Sequence, residues 1–140
     1  SEMCIRDRAA PEGRVYAAEC DADACELICQ NRAKFAVQNL HLTQGLAPEA
    51  LADWPAPDAV FIGGSKGNLR AIVDAALAAN PAARLCISAI ALETLQQAVA
   101  ALTAHGLTAQ VTQIAVSRSR AAGSLHLLMA NNPVFLIARE

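Results

Sequence analysis

The residues best placed for chemistry form a glycine-rich segment, Gly63 to Asn68, that follows the apolar run Ala59–Ile62. Glycines let a ligand approach backbone N–H groups closely, and a helix that begins after Asn68 has unpaired N–H groups in its first turn. The segment is therefore a candidate ligand-binding loop. An ordinary strand-to-helix turn has the same composition, so the choice between the two depends on the rest of the chain.

A second candidate is a carboxylate at the end of a predicted strand. Residues 14–18 are rich in strand formers, and Glu19 follows them directly. In doubly wound sheets an acidic residue at the end of the second strand accepts hydrogen bonds from ribose hydroxyls, although a solvated glutamate is the alternative. The next predicted strand, residues 39–43, leads into the loop from Gly45 to Pro48. We expect both strand ends and the glycine-rich segment to converge, which favours a nucleotide site.

The elements that position these residues alternate between strands and helices. Further strands are predicted over residues 83–88, 107–116, 125–129 and 134–138, helices over residues 21–36, 69–79 and 91–105, and a polar, basic loop over residues 117–124. This order predicts an α/β fold with a mostly parallel sheet and helices on both faces. The last two strands could form an antiparallel hairpin with residues 107–116.

Composition narrows the function classes. A chain of 140 residues that is 54% hydrophobic and 17% charged predicts one globular domain. A net charge of -2 without a basic cluster argues against nucleic-acid binding. No apolar run approaches the ~18 residues that span a bilayer, so we expect a cytoplasmic protein.

Cysteine spacing does not predict a metal site. The five cysteines are an odd number without a C-x-x-C pair, and we expect reduced thiols. Cys25 and Cys29 share a helix face by their spacing, but third and fourth ligands are missing.

Five segments match a known family: VYAAE (residues 15–19), LTQGLAPEAL (42–51), PDAVFIGGSKGNL (57–69), ALETL (91–95) and NNPVFLIAR (131–139). On these segments the sequence resembles the CbiT family of cobalamin biosynthesis and the similar C-terminal half of CobL. The resemblance implies a class I S-adenosylmethionine-dependent methyltransferase fold, which is Rossmann-like. It implies an enzyme that methylates carbon 15 of precorrin-6B, removes carbon dioxide from the carbon-12 acetate, and forms homo-oligomers, often tetramers.

The resemblance also implies roles for cofactor-binding residues. Glu19 would hold the ribose hydroxyls of S-adenosylmethionine, and Leu46 and Ala47 would border the adenine. Gly63 and Gly64, with the following serine, would line the pocket where the cofactor meets the precorrin. Family members commonly have an acidic residue at the position of Leu46, so the adenine contacts differ here.

Substrate contacts follow from the same resemblance and from charge. Ser65, Lys66, Arg118 and Arg120 are candidates for holding the carboxylates of a polyanionic tetrapyrrole, with a solvated basic loop as the alternative for the arginines. Ser88 stands where the family commonly has asparagine, which changes one active-site hydrogen bond. Methyl transfer depends mainly on positioning and exclusion of water, so no general base is assigned.

One part of the family pattern is missing. The family begins with a strand that ends in a D-x-G-x-G-x-G type turn, and this sequence has no such turn. We therefore expect an irregular segment over residues 1–13, a partial methyltransferase domain over residues 14–140, and a chain that is a fragment of a longer reading frame. A different nucleotide-binding module of the doubly wound kind and a non-catalytic fragment remain alternatives.

Overall fold

A computed structural model of the protein describes residues 12–139. Its elements, in chain order, are β1 (Val15–Glu19), α1 (Ala22–Lys34), β2 (Leu40–Gln44), a 3-10 turn (Glu49–Leu51), β3 (Ala59–Ile62), α2 (Leu69–Ala79), β4 (Arg84–Ala89), α3 (Leu92–Ala104), β5 (Ala109–Ile114), β6 (Ser117–Ala122), β7 (Leu125–Ala130) and β8 (Val134–Arg139). The irregular segment predicted over residues 1–13 lies, up to residue 11, outside the described residues. The chain divides into two compact units, Ser1–Pro55 and Ala56–Glu140.

The N-terminal unit contains a parallel strand pair with one helix beside it. β1 and β2 pair in a register that runs from Val15 opposite Leu40 to Glu19 opposite Gln44. Between them, α1 is capped at its N-terminus by Asp21, whose carboxylate accepts a hydrogen bond from the backbone N–H of Ala24 at 2.9 Å. This parallel pair places the C-terminal ends of β1 and β2 side by side, as the sequence predicts.

An aromatic cluster lies on the β1–β2 pair of the same unit. Tyr16 stacks on His41 with ring centroids 4.9 Å apart, and Trp54 lies 5.4 Å from Tyr16 at a tilt of 42°. The indole N–H of Trp54 donates to the Thr43 hydroxyl at 3.2 Å. Trp54 therefore packs the segment after β2 against the β1–β2 pair, and its indole N–H has a hydrogen-bond acceptor.

The C-terminal unit is built on a four-stranded sheet in the order β3-β4-β8-β5. β3 and β4 are parallel, and β8 runs antiparallel to both of its neighbours, β4 and β5. Three of the four strands therefore point in one direction. The bounds predicted for β3 and α2 agree with the structure residue for residue.

The core of this unit lies between the sheet and two helices. α2 and α3 contact each other, and α3 also contacts β4, β5 and β8. Ile87 of β4 is opposite Ile137 of β8, and both are fully buried. Burial alternates along β4, with Leu85, Ile87 and Ala89 inside, because successive side chains of a strand point to opposite faces.

The end of α3 follows a Schellman motif. Gly106 has a φ of +69°, its N–H donates to the Thr103 carbonyl at 2.9 Å, and the N–H of Leu107 donates to the Leu102 carbonyl at 3.1 Å. A glycine is favoured here because the left-handed conformation costs it little. The helix end predicted from Gly106 is confirmed to within a residue.

The prediction of a loop over residues 117–124 is wrong. Ser117–Ala122 form β6, which pairs antiparallel with β7 across a two-residue turn at Gly123 and Ser124. Both faces of this hairpin are exposed, so the polar and apolar residues do not alternate and the usual strand pattern is absent. β7 therefore pairs with β6 and not with residues 107–116, whereas β8 does pair antiparallel with β5.

Candidate functional site

Glu19 lies at the C-terminal end of β1 and is half-buried. The backbone N–H groups of Cys20 and Asp21 donate to its Oε1 atom at 2.8 and 2.9 Å. The other carboxylate oxygen, Oε2, has no hydrogen-bond partner among residues 12–139. The carboxylate is thus held in place by one oxygen while the second oxygen remains available to a hydroxyl donor.

The thiol of Cys25 supports this strand end. Its Sγ atom lies 3.4 Å from the Glu19 carbonyl oxygen, to which it donates. Burial raises the pKa of the Cys25 thiol, and the nearby Glu19 carboxylate raises it further. The thiol therefore stays protonated, which suits a structural donor and not a metal ligand. Within the described part of the chain there is no cluster of three or more residues that could hold a metal ion.

The loop after β2 lies beside Glu19, as the sequence predicts. The N–H of Gly45 donates to the Glu19 carbonyl at 2.9 Å and ties the two strand ends together. Leu46 follows and is 50% exposed, while Ala47 is half-buried. A side chain at Gly45 would come within 3.2 Å of the Ala50 Cβ atom, so the loop folds tightly back on itself.

In the C-terminal unit, the loop after β3 brings Gly63 close to Ser88. A Cβ atom at Gly63 would lie 3.6 Å from Phe61 Cε1 and 4.0 Å from Ser88 Oγ. Ser88 comes from β4, which is the neighbouring strand. The sequence singled out Gly63 and Ser88 separately, and the parallel pairing of β3 with β4 places them together.

Phe61 is a residue of this site that the sequence analysis did not single out. Its ring lies next to Gly63 and is 52% exposed. Because Ile62 is buried, strand alternation places Phe61 on the opposite face, and this alternation is the signal that could have found it. An exposed ring beside a glycine-rich loop is a suitable wall for a flat conjugated ligand.

The rest of the loop turns tightly before α2. The N–H of Asn68 donates to the Ser65 carbonyl at 2.8 Å. Lys66 and Gly67 both have positive φ angles, of 45° and 91°. A Cβ atom at Gly64 would meet nothing within 4 Å, so the backbone there is open to approach.

The two arginines lie elsewhere in this unit. Arg118 and Arg120 are on β6, are exposed, and share one face of the hairpin because they are two residues apart. Opposite them on β7 are Met129 and Leu127. This face therefore combines two cations with exposed apolar side chains.

Comparison with known proteins decides the family. A family model described as the precorrin methyltransferase domain matches residues 4–139. The chain belongs to the precorrin methyltransferase family. A curated family member from Pyrobaculum calidifontis, named as a probable cobalt-precorrin-6B C(15)-methyltransferase (decarboxylating), is 39% identical over 125 residues, which are 89% of this chain and 64% of the relative.

Solved structures agree with the family assignment. The crystal structure of precorrin-6Y C5,15-methyltransferase from Geobacter metallireducens superposes with a TM-score of 0.85 at 35% identity, covering 93% of this chain and 68% of that one. Precorrin 8W decarboxylase from Methanobacterium thermoautotrophicum gives a TM-score of 0.85 at 32% identity, covering 91% and 69%.

More distantly related enzymes share the fold of this precorrin methyltransferase domain. A SAM-dependent O-methyltransferase from Thermotoga maritima is 14% identical with a TM-score of 0.68, over 91% of this chain and 50% of that one, a likeness that shows the fold alone. The Rossmann-like methyltransferase fold expected from the sequence is therefore confirmed. The chain spans about two thirds of the length of the curated relatives it resembles.

Proposed function

We propose that the full-length protein is an S-adenosylmethionine-dependent precorrin-6B methyltransferase that methylates carbon 15 and decarboxylates the carbon-12 acetate in corrin-ring biosynthesis. The observation that carries the proposal is the family match over nearly the whole chain, together with a relative at 39% identity that is named as a probable cobalt-precorrin-6B C(15)-methyltransferase (decarboxylating). The local geometry at the ends of β1 and β2 in the N-terminal unit, and that of the loop after β3 in the C-terminal unit, each support it.

The residues at the ends of β1 and β2 suit the nucleoside part of S-adenosylmethionine. Glu19 has one carboxylate oxygen fixed by two N–H donors, so the remaining oxygen can accept from a ribose hydroxyl without reorganisation. Leu46 presents an exposed apolar side chain and Ala47 a small one, and we assign both to the adenine. When bound, the cofactor supplies an electrophilic methyl group on a sulfonium.

The loop after β3 suits the place where cofactor and substrate meet. Gly64 leaves the backbone open, Gly63 lies beside Ser88, and Ser65 and Ser88 carry hydroxyls that can orient a polar substrate group. Transfer of a methyl group to carbon needs an acceptor held close and in line, which positioning residues provide. We expect the exposed ring of Phe61 to exclude water from this side once a ligand covers it, without proton chemistry of its own.

The substrate carries many carboxylates, and cations of the C-terminal unit can bind them. Lys66 lies in the β3 loop, and Arg118 and Arg120 lie on β6. Arginine binds carboxylates in a bidentate manner, so the hairpin pair suits acetate or propionate side chains. We also propose that the protein is a homo-oligomer, as the resemblance implies.

Calorimetric titration of the full-length protein with S-adenosylhomocysteine tests the cofactor site. We expect binding, and we expect Glu19→Gln to weaken it about tenfold, because one charge-assisted hydrogen bond is replaced by a neutral one. Glu26→Gln is the matched control, since Glu26 is an exposed residue of α1 that is not among the proposed contacts. Binding of a dinucleotide in place of S-adenosylhomocysteine, or equal affinities for Glu19→Gln and the wild type, would contradict the proposal.

A further inference from the structure

The loop after β3 contains a turn whose backbone conformation is unusual for one of its residues. Residues 65–68 form this turn, in which the N–H of Asn68 donates to the Ser65 carbonyl at 2.8 Å. Its two central residues, Lys66 and Gly67, have positive φ angles of 45° and 91°. Positive φ at both central positions is the signature of a type I′ turn, where glycine, asparagine and aspartate predominate. Lysine is therefore an unfavourable residue for the first of these positions.

Within residues 12–139, the other non-glycine residue with a positive φ has a structural reason for it. Ala36, with a φ of 50°, follows the last turn of α1. The N–H of Val37 donates to the Arg32 carbonyl at 2.9 Å, which closes the helix in the usual way. Lys66 lies before α2 and after β3, so the end of a helix does not account for its conformation.

Strain at Lys66 that no helix end explains points to a functional role. In the left-handed region the Cβ atom crowds the following carbonyl oxygen, and lysine lacks the short polar side chain that helps asparagine and aspartate there. Glycine would adopt the same φ without this cost. Residues held in sparsely populated backbone conformations cluster at active sites and ligand clamps. Lys66 fits that description, because it is exposed and lies three positions after Gly63, which is beside Ser88.

We propose that Lys66 determines the specificity of the precorrin site by pairing with a substrate carboxylate that is retained in the product. This inference rests on the proposed function and adds to it the role of the strained turn. As a central residue, Lys66 stands at the tip of the turn, where its ammonium group can meet a ligand that covers the β3 loop. The charge-assisted hydrogen bond to the substrate offsets the conformational cost.

The chemistry of decarboxylation decides which carboxylate suits this cation. The bond to the departing carboxyl group breaks, its electron pair passes to the tetrapyrrole, and carbon dioxide leaves uncharged. An ammonium group paired with that carboxylate would stabilise the reactant more than the transition state, and the reaction would slow. A pair with a different acetate or propionate stabilises both states equally, so it lowers KM and leaves kcat unchanged.

The test compares the affinity and turnover of precorrin-6B among full-length variants at position 66. We expect Lys66→Gln to raise both the Kd and the KM about fivefold, which is what one partly exposed ion pair contributes, with kcat unchanged. Lys66→Arg should keep the Kd within about twofold of the wild type, because it keeps the charge. The wild-type Kd should also rise more steeply than that of Lys66→Gln between about 0.05 and 0.5 M salt, since salt screens the ion pair.

Lys66→Gly tests the backbone strain separately. It should weaken binding as Lys66→Gln does, yet its urea midpoint should exceed that of Lys66→Gln, because glycine accepts a positive φ. Ala36→Gly is the control for strain, since it relieves the same conflict at the end of α1 and should leave the Kd unchanged. Arg84→Gln is the control for charge, since Arg84 is exposed at the opposite end of β4 from Ser88. It should also leave the Kd unchanged.

Three results would each overturn the proposal. They are equal precorrin-6B affinities for the wild type and Lys66→Gln, a lower urea midpoint for Lys66→Gly than for Lys66→Gln, and a ratio of decarboxylation to methylation that changes in Lys66→Gln. The last result would place Lys66 on the departing carboxylate.

Failure of the proposed function would be recognisable in the same experiment. A wild type that binds precorrin-6B without turnover would contradict the proposed reaction, while the comparison of Kd values would still decide the role of Lys66. A wild type that does not bind precorrin-6B would overturn both.

Discussion

Two glycines of the β3 loop, Gly64 and Gly67, differ in whether the backbone could accept a larger residue. A Cβ atom at Gly64 would meet nothing within 4 Å and the residue has no positive φ, whereas Gly67 has a φ of +91°. Gly64 is therefore dispensable for folding, whereas the backbone conformation at Gly67 requires a glycine. This contrast separates a ligand role from a structural one.

We predict that Gly64→Ala changes the free energy of unfolding by less than about 0.5 kcal/mol, the usual range for exposed positions. The added methyl group should nevertheless weaken S-adenosylhomocysteine binding, because it occupies space that the ligand would use. Gly67→Ala should cost about 1–2 kcal/mol, since a residue with a Cβ atom resists a positive φ. Urea denaturation and calorimetry measure the two effects, and unaltered binding by Gly64→Ala would remove that residue from the site.

At the residue scale, the sequence singles out Glu19, Gly63 and Ser88 as candidate site residues but does not predict which groups lie next to them. The pairing of Gly45 with the Glu19 carbonyl depends on the β1–β2 register, and the approach of Ser88 to Gly63 depends on the β3–β4 register. Register is a property of two strands far apart in sequence, and local patterns do not encode it.

The elements in the middle of the C-terminal unit were the most predictable. β3 is a short apolar run between Pro57 and Gly63, and α2 has a buried apolar stripe that ends at Asn80. Asn80 also donates from its side chain to the Pro57 carbonyl at 2.8 Å, so the residue that ends the helix links it to the chain before β3. Burial on one face of a strand or helix produces a periodic pattern of apolar residues, and the exposed hairpin of β6 and β7 lacks such a pattern.

Helices α2 and α3 are also linked by polar side chains. Nε2 of His105, at the end of α3, lies 2.6 Å from Oδ1 of Asp74 on α2, and Arg70 donates to both carboxylate oxygens of Asp74 at 2.8 and 3.0 Å. The hydrogen bond with His105, followed by that with Arg70, lowers the pKa of Asp74 below its ordinary value. Burial acts in the opposite direction and is outweighed.

Because the pKa of Asp74 is lowered in the folded state, the carboxylate stabilises the protein fully at pH values above the ordinary aspartate pKa of about 3.9. This stabilisation is lost as the pH falls through the lowered pKa. Asp74→Asn should lower the free energy of unfolding at pH 7 by at most about 1 kcal/mol, because the pair is partly exposed. The difference from the wild type should shrink as the pH falls below about 4.

Thermal unfolding between neutral and acidic pH measures this effect. Asp53→Asn is the control, because the Asp53 side chain has no partner within residues 12–139. A destabilisation by Asp74→Asn that is equally large in acid and at pH 7 would show that the carboxylate charge is not what links the two helices.

At the scale of the whole molecule, the fold class and the family can be predicted from sequence patterns, whereas the arrangement of the site depends on how the strands pair. The alternation of strands and helices predicts an α/β protein, and the segments around Glu19 and the β3 loop carry the family resemblance. The sequence allows the antiparallel pairing of β8 with β5, but it does not predict that β8 also pairs with β4, because these two strands lie far apart in the chain. The exposed hairpin could not be predicted either, because its sequence has no alternation of buried apolar and exposed polar residues.

None of the helices within residues 12–139 is long and apolar enough to cross a membrane. The chain covers about two thirds of its curated relatives, so the activity proposed here concerns the full-length protein. We propose that both reactions, methylation and decarboxylation, occur on one precorrin, and that the residues of the protein supply binding and orientation in place of acid–base groups.

The most direct test is to incubate the full-length protein with precorrin-6B, with and without cobalt, and S-adenosylmethionine carrying a labelled methyl group. Mass spectrometry and NMR of the product then report each reaction separately. We predict a product that has gained one labelled methyl group at carbon 15 and lost one carboxyl group from the carbon-12 side chain. An unchanged precorrin in the presence of bound cofactor, or a label at any other carbon, would contradict the account.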